Sequence, residues 1–240
     1  MARSGNKEES KRRILSACVK LFIEKGFHNT TMAEILRESG TTSSTFQNIF
    51  RTKDGVILEL TEFMFDNQFA SARNVSDSLP LVYIYAVETC IQMTLVELNE
   101  NLRDIYVETY SNGRTMEYVF ERTSVELYKI FKQYNPSYSE SDFYEMEIGT
   151  AGIMRNYMKK KCDLYFTLEK KIARFLDMSL NVYNVPKDER EKIIAFVLSI
   201  DIRKEANQIM QKLFKSLAMH FDFELGEKLN KGGILWGLRN

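Results

Sequence analysis

Between Gly40 and Phe50 the chain runs Thr41-Thr42-Ser43-Ser44-Thr45-Phe46-Gln47-Asn48-Ile49. Six of these side chains, Thr42, Ser43, Ser44, Thr45, Gln47 and Asn48, are short uncharged hydroxyls and carboxamides. On the first turns of a helix, such groups contact phosphate oxygens, adenine edges and thymine methyls. Thr31 and Lys53 stand at the starts of two flanking segments. There a hydroxyl, an ammonium and helix-terminal N–H groups could meet phosphate. Thr31, Thr42 and Thr52 read equally as helix N-caps, and capping is compatible with phosphate contact.

Other chemistries find little support in the residues. His28 and His220 lie at no metal-ligand spacing, and Cys18, Cys90 and Cys162 are odd in number and far apart. The cysteines read as reduced, mostly buried thiols of a cytoplasmic protein rather than as a disulfide framework. No phosphate loop, nucleophile elbow or internal repeat is present. No catalytic residue, metal or cofactor is therefore expected. No apolar run approaches the ~20 residues of a membrane span, and the polar N-terminus lacks a signal peptide. No membrane partner is expected.

The elements that must position these residues are helices. Three prolines and eleven glycines among 240 residues are too few for a sandwich or barrel. Ile14, Cys18, Leu21 and Phe22 give one apolar face to a helix over Glu8–Lys25, closed by Gly26. Thr30 or Thr31 caps a second, with Glu34 at capping-box distance from Thr31. Ser39-Gly40-Thr41 breaks it, and Thr42 or Ser43 caps a third short helix over Ser44–Asn48. Two short helices joined by a Gly-containing turn form a helix-turn-helix signal. Thr52 caps a fourth, with Val56, Ile57, Leu60, Phe63 and Met64 on its stripe. Further helices are expected from Pro80 to about Leu98, over Asn99–Thr109, Arg114–Tyr134, Ser141–Lys159 and Thr167–Tyr183. A long one runs from Lys187 to Phe221, bent near Ser199–Asp201. The stretch to Asn240 reads as loosely held, with Ile234, Leu235 and Trp236 able to dock back.

Charge divides along the same line. The chain has 33 basic and 33 acidic residues, yet residues 1–53 hold ten Lys and Arg against five acids. The head is thus +5 and the remainder −5, which places attraction for a polyanion on the helix-turn-helix.

Polar residues on the apolar stripes of the body are candidate ligand contacts. Asn67 continues the Leu60–Met64 stripe, Glu88 lies between Ile84 and Ile91–Leu95, and Tyr110 follows a short helix. Glu88 reads either as a salt-bridged or domain-surface carboxylate or, if buried without a partner, as the anchor of a cationic ligand. The abundant aromatic rings read as core filling or as the walls of an apolar pocket.

Residues 8–58 resemble the N-terminal domain of the TetR (tetracycline repressor-like) family of bacterial transcriptional regulators. The resemblance is carried by Ile14, Ala17, Leu21-Phe22, Gly26-Phe27, Thr31, Ile35, Ser39-Gly40, Thr45, Phe50 and Thr52-Lys53-Asp54. This chain departs from the family pattern with Thr41 for Val, Ser44 for Gly, Gln47 for Tyr and Ile49 for His. The Tyr is a usual phosphate contact in the family, so Gln47 bonds phosphate more weakly or reads a base.

The resemblance implies an all-α homodimer. A three-helix DNA-binding domain over residues 1–53 would precede a helical ligand-binding and dimerisation domain over 54–222, then a tail over 223–240. It implies DNA contacts by Thr31, Thr42, Ser43, Ser44, Thr45, Gln47, Asn48 and Lys53. A small molecule entering the body would release double-stranded operator DNA, most simply making the protein a repressor. The dimer surface would be a four-helix bundle of Ser141–Lys159 and Thr167–Tyr183 from each subunit. Gly149, Ala151 and Gly152 would allow close approach there, or pack tightly within one subunit. A helical small-molecule enzyme and a protein-binding adaptor are the alternatives.

Overall fold

The computed structural model describes residues 2–75 and 79–216, and all their side chains other than those of residues 2–6, 65–75, 213 and 216. Among the described residues every regular element is helical. The head comprises α1 (Ala2–Lys25), α2 (Met32–Ser39) and α3 (Ser43–Ile49), and α4 (Lys53–Val75) leads into the body. The body continues with α5 (Leu81–Leu98), α6 (Glu100–Thr109), α7 (Gly113–Phe131), α8 (Glu140–Lys159), α9 (Leu168–Val182), α10 (Lys187–Ser199) and α11 (Ile202–Ser216). A 3-10 turn, Lys132–Tyr134, prolongs α7.

The caps follow from the residues. Thr31 forms a full capping box with Glu34, whose carboxylate takes the Thr31 N–H at 2.9 Å while the Glu34 N–H donates back to Thr31 Oγ1 at 3.3 Å. The neighbouring Thr30 is buried instead, its hydroxyl donating to the Gly26 carbonyl at 2.8 Å. Gly26 adopts φ +88°, a left-handed conformation that ends α1 and lets its N–H reach the Phe22 carbonyl at 2.9 Å. α1 begins at Ala2 rather than near Glu8. The polar residues before Glu8 carry no apolar period from which a helix could be read.

The long helix expected after Pro186 is two helices. Ile200 turns extended (φ −88°, ψ 145°), and the Asp201 side chain accepts the Lys204 N–H at 3.2 Å to start α11 afresh. Residues 217–240, with the expected tail and Ile234, Leu235 and Trp236, lie outside the described residues.

α5 is the central post. Fourteen of its eighteen residues are buried, and α4, α6, α7, α8, α9, α10 and α11 all pack against it. No apolar run in it reaches the ~20 residues of a membrane span, since Glu88, Gln92 and Glu97 interrupt it. By length and composition α5 would pass as one, with mean hydropathy 1.4 over 18 residues. A helix that is apolar on every side fits the core of a large helical domain equally well, and neighbouring helices occupy that surface here.

A buried ion network ties the far end of α5 to its neighbours. Glu97 receives Lys171 Nζ at 2.5 Å and Arg103 Nη2 at 3.0 Å, and Lys171 also donates to the Lys160 carbonyl at 2.6 Å. Two cations around one carboxylate satisfy a charge that would be costly alone.

Candidate nucleic-acid interface and ligand cavity

In the head, α1 packs against α2, α3 and α4 through Ile14, Cys18, Leu21 and Phe22, which meet Ile35, Phe46, Phe50 and Ile57 in one core. The turn between α2 and α3 depends on Gly40 at φ +60°. The Ser39 and Thr41 hydroxyls lie 2.7 Å apart across it. Thr41, where the resemblance leads one to expect Val, thus adds a hydrogen bond within the turn.

α3 buries Phe46 at 1% exposure and turns its polar residues outward. Thr42 caps it, accepting the Thr45 N–H at 3.2 Å, and the two hydroxyls pair at 3.0 Å. Ser43, Ser44, Gln47 and Asn48 are exposed, and no described hydrogen bond occupies their side chains. The eight residues proposed for DNA contact thus fall into distinct environments. Thr31 and Thr42 already serve as caps, the Thr45 hydroxyl pairs with that of Thr42, and four α3 side chains are free.

Lys53 stands apart from the other seven. Its ammonium donates to the carbonyls of Phe27 at 2.7 Å and Thr30 at 3.1 Å, and lies 4.3 Å from the centre of the Phe27 ring. It therefore fastens α4 to the turn after α1. Among the head's other cations, Lys11 pairs with Glu59, Lys20 with Glu38 and Lys25 with Glu34. Arg12, Arg13, Arg37 and Arg51 form no ion pair with a described residue. Arg12 and Arg13 line an open cleft of about 260 Å³ together with Lys20 and Glu38.

The body holds a small cavity of about 30 Å³, its wall mostly apolar with polar groups set into it. That is room for roughly two waters. Glu88 and Gln92 of α5, Tyr110 at the end of α6, Thr123 of α7, and Glu147 and Thr150 of α8 line it. Two of the three expected ligand contacts, Glu88 and Tyr110, are thus brought together. Asn67 falls within α4, but its side chain lies outside those described.

Glu88 and Glu147 are 2% and 6% exposed, and neither is paired with a cation among the described residues. The Gln92 amide donates to Glu88 Oε1, and the Tyr110 hydroxyl donates to Gln92 Oε1 at 3.2 Å. Glu147 Oε2 receives Thr150 at 2.7 Å and Tyr183 at 3.2 Å. Burial raises both carboxyl groups to about 7, partly offset by these donors, and Glu147 raises Glu88 further. The salt-bridged reading of Glu88 is not the one observed.

Glu147, Gln92, Thr123 and Thr150 escaped the sequence reading. The signal that singled out Glu88 also marks Glu147, since Phe143, Glu147, Ala151, Met154 and Met158 form the buried stripe of α8. Ala151 faces inward onto the cavity, whereas a Cβ on Gly149 or Gly152 would meet nothing within 4 Å. Both glycines therefore lie on an outer face that their own subunit leaves open.

A second chamber of about 10 Å³ shares Gln92 and Tyr110 with the first and is closed by Leu60, Thr61 and Met64 of α4 and Ile105 of α6. No cluster of His, Cys, Asp or Glu among the described residues could hold a metal ion. Burial pushes the Cys18 and Cys162 thiols up to about 12, which leaves both inert at neutral pH.

Comparison with known proteins bears first on the head. Residues 14–60 match the family model described as bacterial regulatory proteins, tetR family. Over 71 residues the chain is 31% identical to the "Uncharacterized HTH-type transcriptional regulator YerO" of Bacillus subtilis (strain 168). That match takes in 30% of this chain and only 25% of the relative's length. Two crystal structures of a gamma-butyrolactone receptor (ArpA-like protein) align with 86% of this chain and 99% and 98% of theirs. They do so at 14% and 15% identity and TM-scores of 0.45 and 0.44, too loose a likeness to assign a ligand. The helix-turn-helix head of this chain is thus similar, over residues 14–60, to the N-terminal domain described for bacterial regulatory proteins of the tetR family.

Proposed function

We propose that this protein is a homodimeric, ligand-responsive transcriptional regulator of the cytoplasm. Its head, residues 1–53, binds double-stranded operator DNA, and its helical body, residues 54–222, holds the effector and the dimer surface. The observation that carries the reading is the outer face of α3, where Ser43, Ser44, Gln47 and Asn48 are exposed and unoccupied on a head of net charge +5. Side chains of this kind in a major groove read base edges, while Thr31, Thr42, Thr45 and Lys53 lie beside the phosphates.

The body gives the ligand response a route. α4 closes the second chamber with Leu60, Thr61 and Met64 and also starts beside the end of α3. A ligand that enlarges the chamber must displace α4, and α4 carries the head through Lys53. In the simplest form, effector binding moves the paired heads out of register with the operator and relieves repression. No residue is assigned a catalytic role.

The test is retardation of duplex DNA from the chain's own upstream region. Binding at low salt that falls steeply as salt rises is expected. Failure to retard any such fragment at low salt would remove the reading.

A further inference from the structure

The cavity between α5, α7 and α8 has apolar walls from Ala151, Met154 and Phe175 and two carboxyl groups set among them. Glu88 Oε1 and Glu147 Oε2 are taken by neighbouring donors, but no described hydrogen bond reaches Glu88 Oε2 or Glu147 Oε1. The hydroxyl oxygen of Thr123, on the same wall, is fully buried with no partner. Most donors nearby are already committed, the Tyr85 and Thr123 hydroxyls excepted. Tyr110 donates to Gln92, Gln92 to Glu88, and the Thr89 hydroxyl to the Tyr85 and Ala86 carbonyls. No Lys, Arg or His among the described residues pairs with either carboxylate. Two buried carboxyl groups and an orphan hydroxyl thus face one small space with a surplus of lone pairs and no positive charge.

We infer that the effector is an organic cation, held by its protonated primary amine between Glu88 and Glu147, with its apolar remainder directed past Gln92 and Tyr110 toward α4. An ammonium offers three donors and no acceptor, which matches Glu88 Oε2, Glu147 Oε1 and Thr123 Oγ1. Its charge offsets a carboxylate pair that would otherwise repel and resist ionisation. A carboxylate or phosphate ligand would add a third negative charge to the same space, and a neutral alcohol would leave the carboxylates without a counter-charge. The cavity of about 30 Å³ takes the ammonium head alone. The second chamber, bounded by Leu60, Met64 and Ile105, supplies an apolar continuation that opens only if α4 gives way.

This inference rests on the cavity being the effector site, so its test separates charge selection from ligand binding. Binding of n-hexylammonium, n-hexanol and hexanoate to the full chain is measured by calorimetry at equal ionic strength. The three probes share a tail and differ in head charge. The ammonium is expected to bind at least tenfold more tightly than either comparator. Glu88→Gln and Glu147→Gln are each expected to lower its affinity at least tenfold while leaving hexanol unchanged, and circular dichroism checks that both variants fold. If hexanol or hexanoate binds as well as the ammonium, or the Gln variants bind the ammonium undiminished, the charge inference is overturned and the cavity reading stands. If no probe binds, both are overturned. Operator retardation, measured on the same preparations, reports on the regulator reading independently.

Discussion

A carboxyl group buried without a cation favours its neutral form, and this protein holds two of them in one cavity. Both Glu88 and Glu147 are raised from 4.5 to about 7. The groups facing them are Tyr85, Cys90 and Gln92 of α5, Tyr110 at the end of α6, Thr150 of α8, and Tyr183 after α9, and none is cationic. A folded value above the unfolded one means that the stabilising contribution is complete below about 4.5 and is lost as pH rises through about 7. Glu88→Gln and Glu147→Gln should therefore leave thermal stability near pH 5 almost unchanged and raise it near pH 8. Each kcal/mol recovered is worth roughly 2–4 °C at this chain length. A pH-independent difference between variant and parent would show that the carboxyl groups do not titrate in this window. On α3, Ser43→Ala and Asn48→Ala should each cost roughly 1–3 kcal/mol on the preferred operator and relax discrimination at one base position. Binding site selection on randomised duplexes reads that change, and an unaltered selected sequence would place these side chains away from the bases.

At the scale of elements, local chemistry made the helices readable and tertiary contacts supplied the remainder. Pro80 and the apolar run after it mark α5, and the Thr31–Glu34 spacing marks the start of α2, because cap and period are properties of neighbouring residues. The interruption between α10 and α11 was legible as a bend near Ser199–Asp201 but not as a full break, since Ile200 continues the apolar pattern and only its extended backbone separates the two helices. The meeting of Glu88 with Glu147 joins α5 to α8 and leaves no trace at any sequence spacing. The role of Gly55 was equally hidden. A Cβ there would lie 2.1 Å from the Phe50 carbonyl oxygen, a backbone atom that cannot step aside cheaply. Gly55→Ala should thus force α3 and α4 apart, at a cost of about 1–3 kcal/mol by analogy with overpacked cores. A lower urea midpoint together with weakened DNA binding is the expected result, and an unchanged midpoint would mean the joint is plastic. Asn101 of α6 offers a complementary probe, because its amide donates to the Ile23 carbonyl of α1 at 2.8 Å and braces the head against the body. Asn101→Ala should weaken the influence of an effector on DNA affinity more than it changes the affinity for effector itself.

At the scale of the whole molecule, the zero net charge is divided between a +5 head and a −5 remainder, so DNA is attracted by one end only. In the proposed dimer two such heads grip the duplex together, and α8 presents a surface on which they could be paired. Its outer face carries Gly149 and Gly152, each open to solvent within the subunit, beside Ile148 at 49% exposure. Met178 of α9 is also 41% exposed. Close helix approach over small residues with apolar flanks suits a four-helix contact between two copies. Ile148→Glu should place a carboxylate in that contact without disturbing the subunit core, because the side chain already points outward. Sedimentation should then show a monomer with an unchanged helical spectrum. Affinity for a palindromic operator should fall by orders of magnitude, and the salt slope of binding should drop to about half, since half the phosphate contacts remain in each complex. A variant that stays dimeric and binds with the parent slope would move the dimer surface to another face. A monomeric variant that keeps full affinity would instead mean that one head suffices for the operator.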